Sequence, residues 1–361
     1  MDKEAAPIDM NSVFRQGSST KIFTSIAALQ CVERGQIGLD DPVYDHLPEL
    51  KDQSIISFTG DGTELKYSRP AHQTTLRRLL THTSGIGYDV FERRLQAWRK
   101  SRGEALMTIG GRAVAAFDMP ILFEPGESWR YGAGHDAVGV LVGRLNGGIT
   151  LEDYMVEHIF KPLGLQSSTF FIKTHRNALS RLVEGVTRGP DMKLGPWPSA
   201  VGQDDPAEAQ GSCGLFSSVQ DVMAVLHDLI KEQPTLLKRE TVEMLFTPQL
   251  GEGTPAMEGF KASSSLYKSM FGNLVESVKV NHSLGGLLIE EDSTLGRIRG
   301  TICWCGSTGT FWLANREKGL AAVYATQVFP ITDEKGWNLM QEFIKETWKL
   351  SSSRSLTLVK L

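Results

Sequence analysis

The stretch that decides the fold is Gly17-Ser-Ser-Thr-Lys21, which opens a long apolar run that ends at Gly35. The spacing of the apolar residues and the final glycine predict a helix over Thr20–Arg34. Its few polar residues are small or uncharged as far as Gln30, so this helix is predicted to be buried on nearly all sides. A serine and a lysine therefore stand at the start of a central helix.

Ser18 and Lys21 have a spacing that suits a nucleophile and its base. Positions i and i+3 lie on the same helix face, so the Lys21 amine can reach the Ser18 hydroxyl. The helix N-terminus offers free N–H groups to an oxyanion, and a lysine whose pKa is depressed by its neighbours can accept the serine proton. Ser265 and Lys268 have the same spacing, so on this pattern alone a capping role for Ser18 remains open.

Outward from this helix, the sequence predicts a mostly helical middle and a strand-rich end. Residues Leu39–Pro70 are expected to be loop-rich, and 189–211 to form a long surface excursion. The predicted helices are Thr74–Leu80, Ala133–Leu145, Leu151–Phe160, Ser218–Lys231 and Glu334–Leu350. The predicted strands are Leu284–Glu290, Ile298–Trp304, Gly309–Ala314 and Leu320–Thr326.

This order of elements predicts an α+β fold, with an antiparallel sheet flanked by helices and a mostly helical inserted subdomain. The length of 361 residues fits one large domain. We therefore assign residues 1–361 to a single catalytic domain. Within it, residues 1–35 and 211–361 form the α/β part, and residues 36–210 form the insertion.

Two further segments can bring chemistry to Ser18. Tyr131 lies in a Gly-rich loop before a predicted helix, and a phenol near a lysine ammonium has a lowered pKa and can relay the serine proton. The run Trp304-Cys-Gly-Ser307 ends one predicted strand, where a backbone N–H can stabilise an oxyanion. Each segment also has a plain structural interpretation, as a tyrosine packed under a loop or as a tight hairpin.

These three segments occur in the order and approximate spacing of the serine β-lactamase and penicillin-binding-protein superfamily, which the chain resembles. The closer likeness is to its carboxylesterase and acyltransferase branch. It is carried by Leu79–Gly85, Pro125–Tyr131, Pro162–Leu165, Gly214–Ser218 and Ala325–Gln327. Residues Ala28–Gly35 and Trp129–Ala133 are also similar to the fungal transesterases of lovastatin biosynthesis. The resemblance runs from about residue 12 to the C-terminus and implies a β-lactamase/transpeptidase-like fold.

The resemblance also implies roles for single residues. Ser18 would be the acylated nucleophile, and Lys21 and Tyr131 would share the general base and acid work. The oxyanion would be held by the backbone N–H groups of Ser18 and Ser307. On the substrate side stand Trp304, Cys305 and Gly306.

The implied function is a serine-dependent acyltransferase (transesterase) or carboxylesterase of fungal secondary metabolism. An ester or an acyl thioester, such as one presented by a polyketide synthase acyl carrier, would acylate Ser18. The acyl group would then pass to an alcohol of a secondary metabolite or to water. No cofactor and no metal ion is required for this chemistry, and a homodimer is among the expected assemblies.

Two positions depart from the family pattern. Ala133 stands at the third place of the Tyr/Ser-x-Asn motif, where the family has asparagine. Trp304 replaces the lysine of the lactamase Lys-Thr-Gly, which would bind the carboxylate of a penicillin-like substrate. The second departure argues against β-lactam hydrolysis and for uncharged acyl groups. The first keeps open a non-catalytic relative that binds a ligand or a partner.

Other side chains near these motifs are given structural roles. His82 is expected to hold a turn through hydrogen bonds, and His135 to be an exposed residue at a helix start. Cys303 and Cys305 are two residues apart on a predicted strand, so they point to one face of it. Nothing in the spacing of the four cysteines suggests a redox or zinc site.

Composition narrows the class of protein. Apolar residues make up 41% and charged residues 22%, the balance of an ordinary globular protein. Lys and Arg number 38 against 42 Asp and Glu, which gives no electrostatic reason to bind nucleic acid or an anionic membrane. Apolar runs are too short to cross a bilayer, and the charged N-terminus lacks an apolar signal core. We therefore expect a cytoplasmic enzyme.

The start of the sequence is shorter than the resemblance leads one to expect. Family members normally have a helix and the first strands of the sheet before the Ser-x-x-Lys helix, whereas 17 residues precede Ser18 here. We expect those N-terminal strands to be missing and one sheet edge to lie open. Two explanations stay open: the chain is a shortened gene product, or the segment 355–361 or a second subunit covers that edge.

Overall fold

Five short strands from the C-terminal third of the chain form one antiparallel sheet. The computed structural model describes residues 7–62, 64–106, 111–197, 204–275, 277–296 and 298–352. Among these residues, the five-stranded sheet has the strand order β11 (Leu320–Ala325), β10 (Thr310–Asn315), β9 (Thr301–Gly306), β8 (Leu287–Ile289) and β7 (Val280–His282). The strands are β1 (Val13–Arg15), β2 (Ile55–Phe58), β3 (Leu65–Ser68), β4 (Val186–Arg188), β5 (Leu194–Pro196), β6 (Phe216–Ser218), β7 (Val280–His282), β8 (Leu287–Ile289), β9 (Thr301–Gly306), β10 (Thr310–Asn315), β11 (Leu320–Ala325) and β12 (Val328–Phe329).

Along the chain, helices precede and follow the strands of the five-stranded sheet, and they make up most of the middle of the chain. They are α1 (Lys21–Glu33), α2 (Leu76–Leu80), α3 (Arg93–Ser101), α4 (Gly134–Leu145), α5 (Leu151–Met155), α6 (Lys161–Leu163), α7 (Arg176–Leu179), α8 (Val219–Ile230), α9 (Arg239–Leu245), α10 (Pro255–Ala262), α11 (Ser264–Phe271) and α12 (Glu334–Ser352). A π-helical segment, Val156–Phe160, joins α5 to α6. The six predicted helices are confirmed to within a few residues at each end, the second half of Leu151–Phe160 as the π-helical segment.

The central strands β9 and β10 are buried along their whole length. Their register places Trp304 opposite Trp312 and Gly306 opposite Thr310. Strands covered on both faces can carry apolar residues at consecutive positions rather than in alternation, as Ile302–Cys305 and Phe311–Ala314 do. Helix α12 lies against β11, where the Tyr324 and Phe343 rings are 5.6 Å apart.

Helix α1 lies in the interior, as its sequence predicts. Every residue from Lys21 to Cys31 is buried. The Ile22 side chain reaches the sheet beside Ile302, and both approach the backbone of Gly285. Because α1 also packs against α4, the start of this helix lies between the sheet and the residues of the insertion.

Two strand predictions were incomplete. The stretch Leu39–Pro70 was expected to be loop-rich, but β2 and β3 pair there as a hairpin. Strand β3 is mostly exposed and carries Lys and Ser, so it lacks the alternation that marks a half-buried strand. Strand β7 escaped prediction because its Asn281 and His282 are polar. They are nevertheless buried, since Asn281 exchanges hydrogen bonds with the backbone of Leu250.

The predicted insertion, residues 36–210, holds α2 to α7 and the hairpins β2–β3 and β4–β5. It does not pack as a separate unit, because one large apolar cluster contains residues of both parts, including Ile22, Leu79, Val142 and Ile302. Strand β4 also pairs in parallel with β12 near the C-terminal end. The division into two parts therefore stays a prediction about organisation.

The N-terminal residues pair away from the main sheet. Strand β1 is antiparallel to β6, and among the described residues no strand that precedes α1 joins β11 at the edge of the five-stranded sheet. The segment 355–361, expected to cover that edge, lies outside the described residues.

Helix α8 begins with a side-chain cap. The Ser218 side chain accepts a hydrogen bond from the Asp221 N–H and so caps the helix. Replacing Ser218 with alanine should therefore lower the free energy of unfolding by about 1 kcal/mol. Chemical denaturation followed by circular dichroism measures this change. Gln220→Ala, at an exposed position in the same first turn, is the control, and an equal loss in both variants would contradict the capping role.

Candidate active site

The structure brings the three residues predicted to be catalytic into one hydrogen-bonded cluster. Ser18 is half-buried in a 3-10 turn, Gly17–Thr20, that leads directly into α1. The Tyr131 hydroxyl donates to Ser18 Oγ at 2.6 Å. Lys21 Nζ donates to Ser18 Oγ at 3.2 Å and to the Tyr131 hydroxyl at 2.9 Å. A lysine and a phenol therefore both contact the serine oxygen, which is the arrangement that general base catalysis requires.

The turn that carries Ser18 is attached to the junction of β9 and β10. The Thr308 hydroxyl donates to the Arg15 carbonyl at 2.6 Å, and the Thr310 hydroxyl donates to the Gln16 carbonyl at 2.9 Å. Gly306 permits this approach, because a Cβ there would lie 2.1 Å from the Gln16 carbonyl oxygen. The nucleophile turn thus has a fixed position relative to the sheet.

The residues predicted to form the oxyanion hole lie at this same junction. The Ser307 backbone nitrogen is 3.3 Å from where a Cβ on Gly17 would stand, so it lies directly beside the Ser18 turn. The Ser307 side chain is exposed, which leaves its backbone N–H as the group of chemical interest. Donors at a turn next to the nucleophile are suited to an oxyanion, and the role itself stays a prediction.

Trp304 and Cys305 occupy alternate positions on β9 and so point to opposite faces of the strand. The Trp304 ring lies 5.6 Å from the Tyr131 ring and 5.7 Å from the Phe271 ring. It is buried, so it offers the site an apolar surface rather than a charge. Cys305 is buried too, and burial raises the pKa of its thiol, which makes a thiolate role at neutral pH unfavourable.

Two groups at Lys21 were not foreseen from the sequence. The Tyr88 hydroxyl accepts a hydrogen bond from Lys21 Nζ at 3.3 Å, and the Ser212 carbonyl accepts one at 2.8 Å. Tyr88 is buried, which raises the pKa of its phenol, and its ring lies edge-on to that of Tyr131 at 5.4 Å. Tyr88 closely follows the Leu79–Gly85 motif, a position that could have drawn attention to it.

Three histidines surround a small cavity behind Lys21, and this corrects two predictions. His135 is not an exposed helix-start residue but is buried, with Nε2 3.2 Å from Ser25 Oγ. His82 is buried too, and its ring nitrogens make no hydrogen bond to the described residues, so it does not hold a turn in that way. His282 completes the group, with Nδ1 2.7 Å from the Ser283 carbonyl. The His82 ring is 5.2 Å from that of His135 and 5.4 Å from that of His282.

Burial lowers the pKa of all three imidazoles, to about 4 for His282. A histidine whose pKa is lower in the folded state stabilises the fold above its unfolded value of 6.5, and that stability is lost as the pH falls toward 4. For His282 the shift corresponds to about 3 kcal/mol. The free energy of unfolding should therefore fall steeply between pH 6.5 and 4.

His282→Phe, which removes one of these imidazoles, should make this pH dependence of unfolding shallower. His72→Gln is the comparison variant, because the His72 side chain is 47% exposed, and the change of slope in the His282 variant should exceed any change in this one. Denaturant titrations at several pH values measure the slope. An unaltered slope in the His282 variant would contradict the assignment of a neutral, buried imidazole.

A comparison with known protein families identifies the family of this chain. The family model described as beta-lactamase matches residues 1–342. The chain belongs to the beta-lactamase family. Its fold is thus the β-lactamase/transpeptidase-like fold that the resemblance implied.

Relatives within the beta-lactamase family include acyltransferases and esterases. Acyltransferase CalJ from Penicillium decumbens is 35% identical over 95% of this chain and 82% of its own length. Lovastatin esterase from Penicillium rubens is 32% identical over 97% of this chain and 88% of its own. The structure of a mutant of simvastatin synthase (LovD) from Aspergillus terreus matches with a TM-score of 0.85 at 30% identity, over 97% of this chain and 84% of that one.

Both departures from the beta-lactamase family pattern have a clear structural setting. Ala133 is fully buried next to the first residue of α4, so no side-chain amide reaches the site from that place. Trp304 packs against the rings of Tyr131 and Phe271. This position of β9 therefore offers an apolar ring beside Tyr131, and its role toward a substrate stays a prediction.

Among the described residues, no group of three or more His, Cys, Asp or Glu side chains is arranged to hold a metal ion. No helix in the described part of the chain is long and apolar enough to span a bilayer. That the chemistry needs no metal or cofactor stays a prediction.

Proposed function

We propose that this beta-lactamase-family chain is a serine acyltransferase that forms an acyl-Ser18 intermediate and passes the acyl group to an alcohol. The observation that carries the proposal is the contact of Ser18 Oγ with both the Tyr131 hydroxyl, at 2.6 Å, and Lys21 Nζ, at 3.2 Å. Both partners can exchange protons with the serine oxygen during attack and release.

In the first half of the reaction, Ser18 Oγ attacks the carbonyl carbon of an ester or thioester. When the Lys21–Tyr131 pair has lost one proton, it accepts the Ser18 proton as the new C–O bond forms. The carbonyl π electrons move to oxygen, and the backbone N–H groups of Ser18 and Ser307 stabilise that oxyanion. Collapse expels the alkoxide or thiolate, which the pair protonates.

In the second half, an acceptor alcohol attacks the acyl-Ser18 ester. The same pair removes the acceptor's proton and later returns a proton to Ser18 Oγ, so the residues are restored. The acceptor is an alcohol of a secondary metabolite, and water is the competing acceptor. The proposal draws support from relatives named both acyltransferase and esterase. The apolar Trp304 surface favours uncharged acyl groups, because it offers no cation to a carboxylate.

The intermediate is tested by intact-mass spectrometry after mixing the protein with p-nitrophenyl butyrate. We expect a mass increase of one butyryl group, and peptide mapping should place it on the peptide that contains Ser18. The peptide with Ser265, which has the same Ser-x-x-Lys spacing, is the internal control. Turnover without an adduct on Ser18, or an adduct on Ser265 alone, would refute the proposal.

The donor and acceptor are separated by a partition experiment. Butyryl thioesters of N-acetylcysteamine and of an isolated polyketide acyl carrier domain are compared as donors, with and without an added alcohol acceptor. Transfer from the carrier at a higher kcat/KM than from the small thioester would support a carrier-protein partner. Hydrolysis that no alcohol can divert would favour a carboxylesterase. The homodimer and the cytoplasmic location stay predictions.

The two alternatives are distinguished in the same assays. A non-catalytic relative would be stabilised by ligands but would show no covalent mass change. A β-lactamase would hydrolyse nitrocefin rapidly, which Trp304 disfavours because lactamases have a lysine at that place.

A further inference from the structure

The buried carboxylate of Asp136 is connected to Lys21 through one intervening residue, Ser212. Asp136 is 1% exposed and lies in the first turn of α4, five residues after Tyr131. Its Oδ1 accepts the Ser212 backbone N–H at 3.0 Å, and its Oδ2 accepts the Ser212 hydroxyl at 2.5 Å. Both carboxylate oxygens are therefore directed at a single residue, and that residue is part of the site.

Ser212 connects the carboxylate to the catalytic lysine. Its carbonyl oxygen accepts a hydrogen bond from Lys21 Nζ at 2.8 Å, the shortest of the four that the amine makes. The preceding carbonyl, of Gly211, accepts from the Thr24 hydroxyl at 2.7 Å, one turn along α1. The segment held by Asp136 thus lies along the face of α1 that carries Lys21 and sets the direction of one of its N–H bonds.

The other titratable groups near Lys21 are not carboxylates. They are the phenols of Tyr88 and Tyr131, the thiols of Cys213 and Cys305, and the imidazoles of His82, His135 and His282. Asp136 forms no ion pair with a Lys or Arg in the described part of the chain, and Lys21 is the cation that acts on it. A buried carboxylate requires a compensating positive charge nearby.

Asp136 experiences opposing effects on its own charge. Burial raises the pKa of its carboxyl group, and the Ser212 hydrogen bonds and the charge of Lys21 offset only part of that rise. With both oxygens accepting hydrogen bonds, the geometry matches the ionised form.

We propose that Asp136 is a positioning residue that acts through Ser212 on the catalytic pair. It holds the carbonyl that orients the Lys21 amine, and its fixed negative charge balances the proton shared by Lys21 and Tyr131. This role rests on the proposed function, since it concerns the pair that exchanges a proton with Ser18.

Asp136→Asn separates charge from shape, because the amide keeps the size and hydrogen-bonding reach of the carboxylate. A negative charge beside the pair favours its protonated form, so removing that charge allows the pair to lose its proton at lower pH. We expect the acid limb of the pH profile of kcat/KM to move down by about one pH unit. The plateau should fall by less than about tenfold, because the orienting contacts persist.

Asp136→Ala removes both acceptors and leaves the Ser212 donors unpaired in the interior. Here kcat should fall by about 10- to 100-fold with little change in KM, because the substrate does not contact Asp136. The matched control is Asp228→Asn. Asp228 is equally buried and also accepts two hydrogen bonds, in its case from the backbone N–H groups of Thr235 and Leu236, but it lies on α8 and pairs with Lys231. This control should lose stability without moving the pH profile.

The outcomes separate the two proposals. A Ser18 adduct in the wild type together with a shifted acid limb in Asp136→Asn supports the positioning role. An adduct together with an unshifted limb in a folded Asp136→Asn variant overturns the role and leaves the proposed function standing. No Ser18 adduct in the wild type refutes the proposed function itself. If Asp136→Asn does not fold, nitrogen NMR of isotope-labelled lysine in the wild type decides: Lys21 observed as a free amine at pH 7 would overturn the role.

Discussion

Replacing Ser18 with alanine should abolish acyl transfer, lowering kcat/KM for p-nitrophenyl butyrate by at least about ten-thousandfold. Alanine cannot form the covalent intermediate, because it has no hydroxyl that could attack the acyl donor. The fold should survive, because Ser18 is half-buried and its hydroxyl contacts only those two side chains among the described residues. Steady-state kinetics and intact-mass spectrometry measure the two parts of this prediction.

The chain provides its own control for this substitution. Ser265 and Lys268 repeat the Ser-x-x-Lys spacing, but both are exposed on α11. In the described part of the chain, no tyrosine hydroxyl hydrogen-bonds Ser265. Ser265→Ala should keep full activity. If Ser18→Ala retained turnover, or if Ser265→Ala lost it, the nucleophile would have been assigned to the wrong residue.

Replacing Tyr131 with phenylalanine should lower kcat for acylation by about 100- to 10,000-fold, the range typical of a lost general acid–base group. The ring would stay in place, because it packs against His82 at 4.9 Å and Trp304 at 5.6 Å. Only the hydroxyl is removed, and with it the 2.6 Å hydrogen bond to Ser18. Burst-phase measurements with p-nitrophenyl butyrate isolate the acylation step.

Tyr88→Phe is the matched control for Tyr131→Phe. Tyr88 also contacts Lys21 Nζ, at 3.3 Å, but it makes no hydrogen bond to Ser18 in the described structure. Its loss should therefore cost less than about tenfold in kcat, as expected for one weak contact to the lysine. Equal losses in the two variants would mean that both phenols act only by holding Lys21, and that Tyr131 is not the proton relay.

The parts of the site that the sequence predicts are those set by short-range geometry and by motif. Ser18 and Lys21 meet because they are three residues apart at a helix start, and that holds in almost any helical context. Tyr131 and the turn at Ser307 were found through motif order. The central strands β9 and β10 could be predicted as strands because burial on both faces favours runs of consecutive apolar residues.

The parts that escaped prediction depend on close approaches between distant backbones. Gly132 brings Tyr131 against residues 86–87, since a Cβ there would lie 2.0 Å from the Ile86 carbonyl oxygen, and this approach carries Tyr88 to Lys21. Gly211 similarly passes the His135 carbonyl, with a Cβ position 2.2 Å from that oxygen, and this places Ser212 over Asp136. A glycine in a sequence signals freedom of the backbone but does not name the partner.

The histidine cluster was misread for a related reason. His135 follows a glycine at a helix start, where exposure is the usual outcome. It is buried here because α4 packs against α1 and its first turn faces Ser25. Because that contact depends on how the two helices pack, it cannot be predicted from the residues around His135 in the sequence.

The attachment of the nucleophile turn to β10 has a consequence during protein synthesis. The hydrogen bond from Thr310 to Gln16 joins residues 294 positions apart, and the one from Lys21 to Ser212 spans 191. Contacts of such long range form late, since each requires a large loop to close. A nascent chain therefore cannot assemble the site around Ser18 until β10 has emerged from the ribosome.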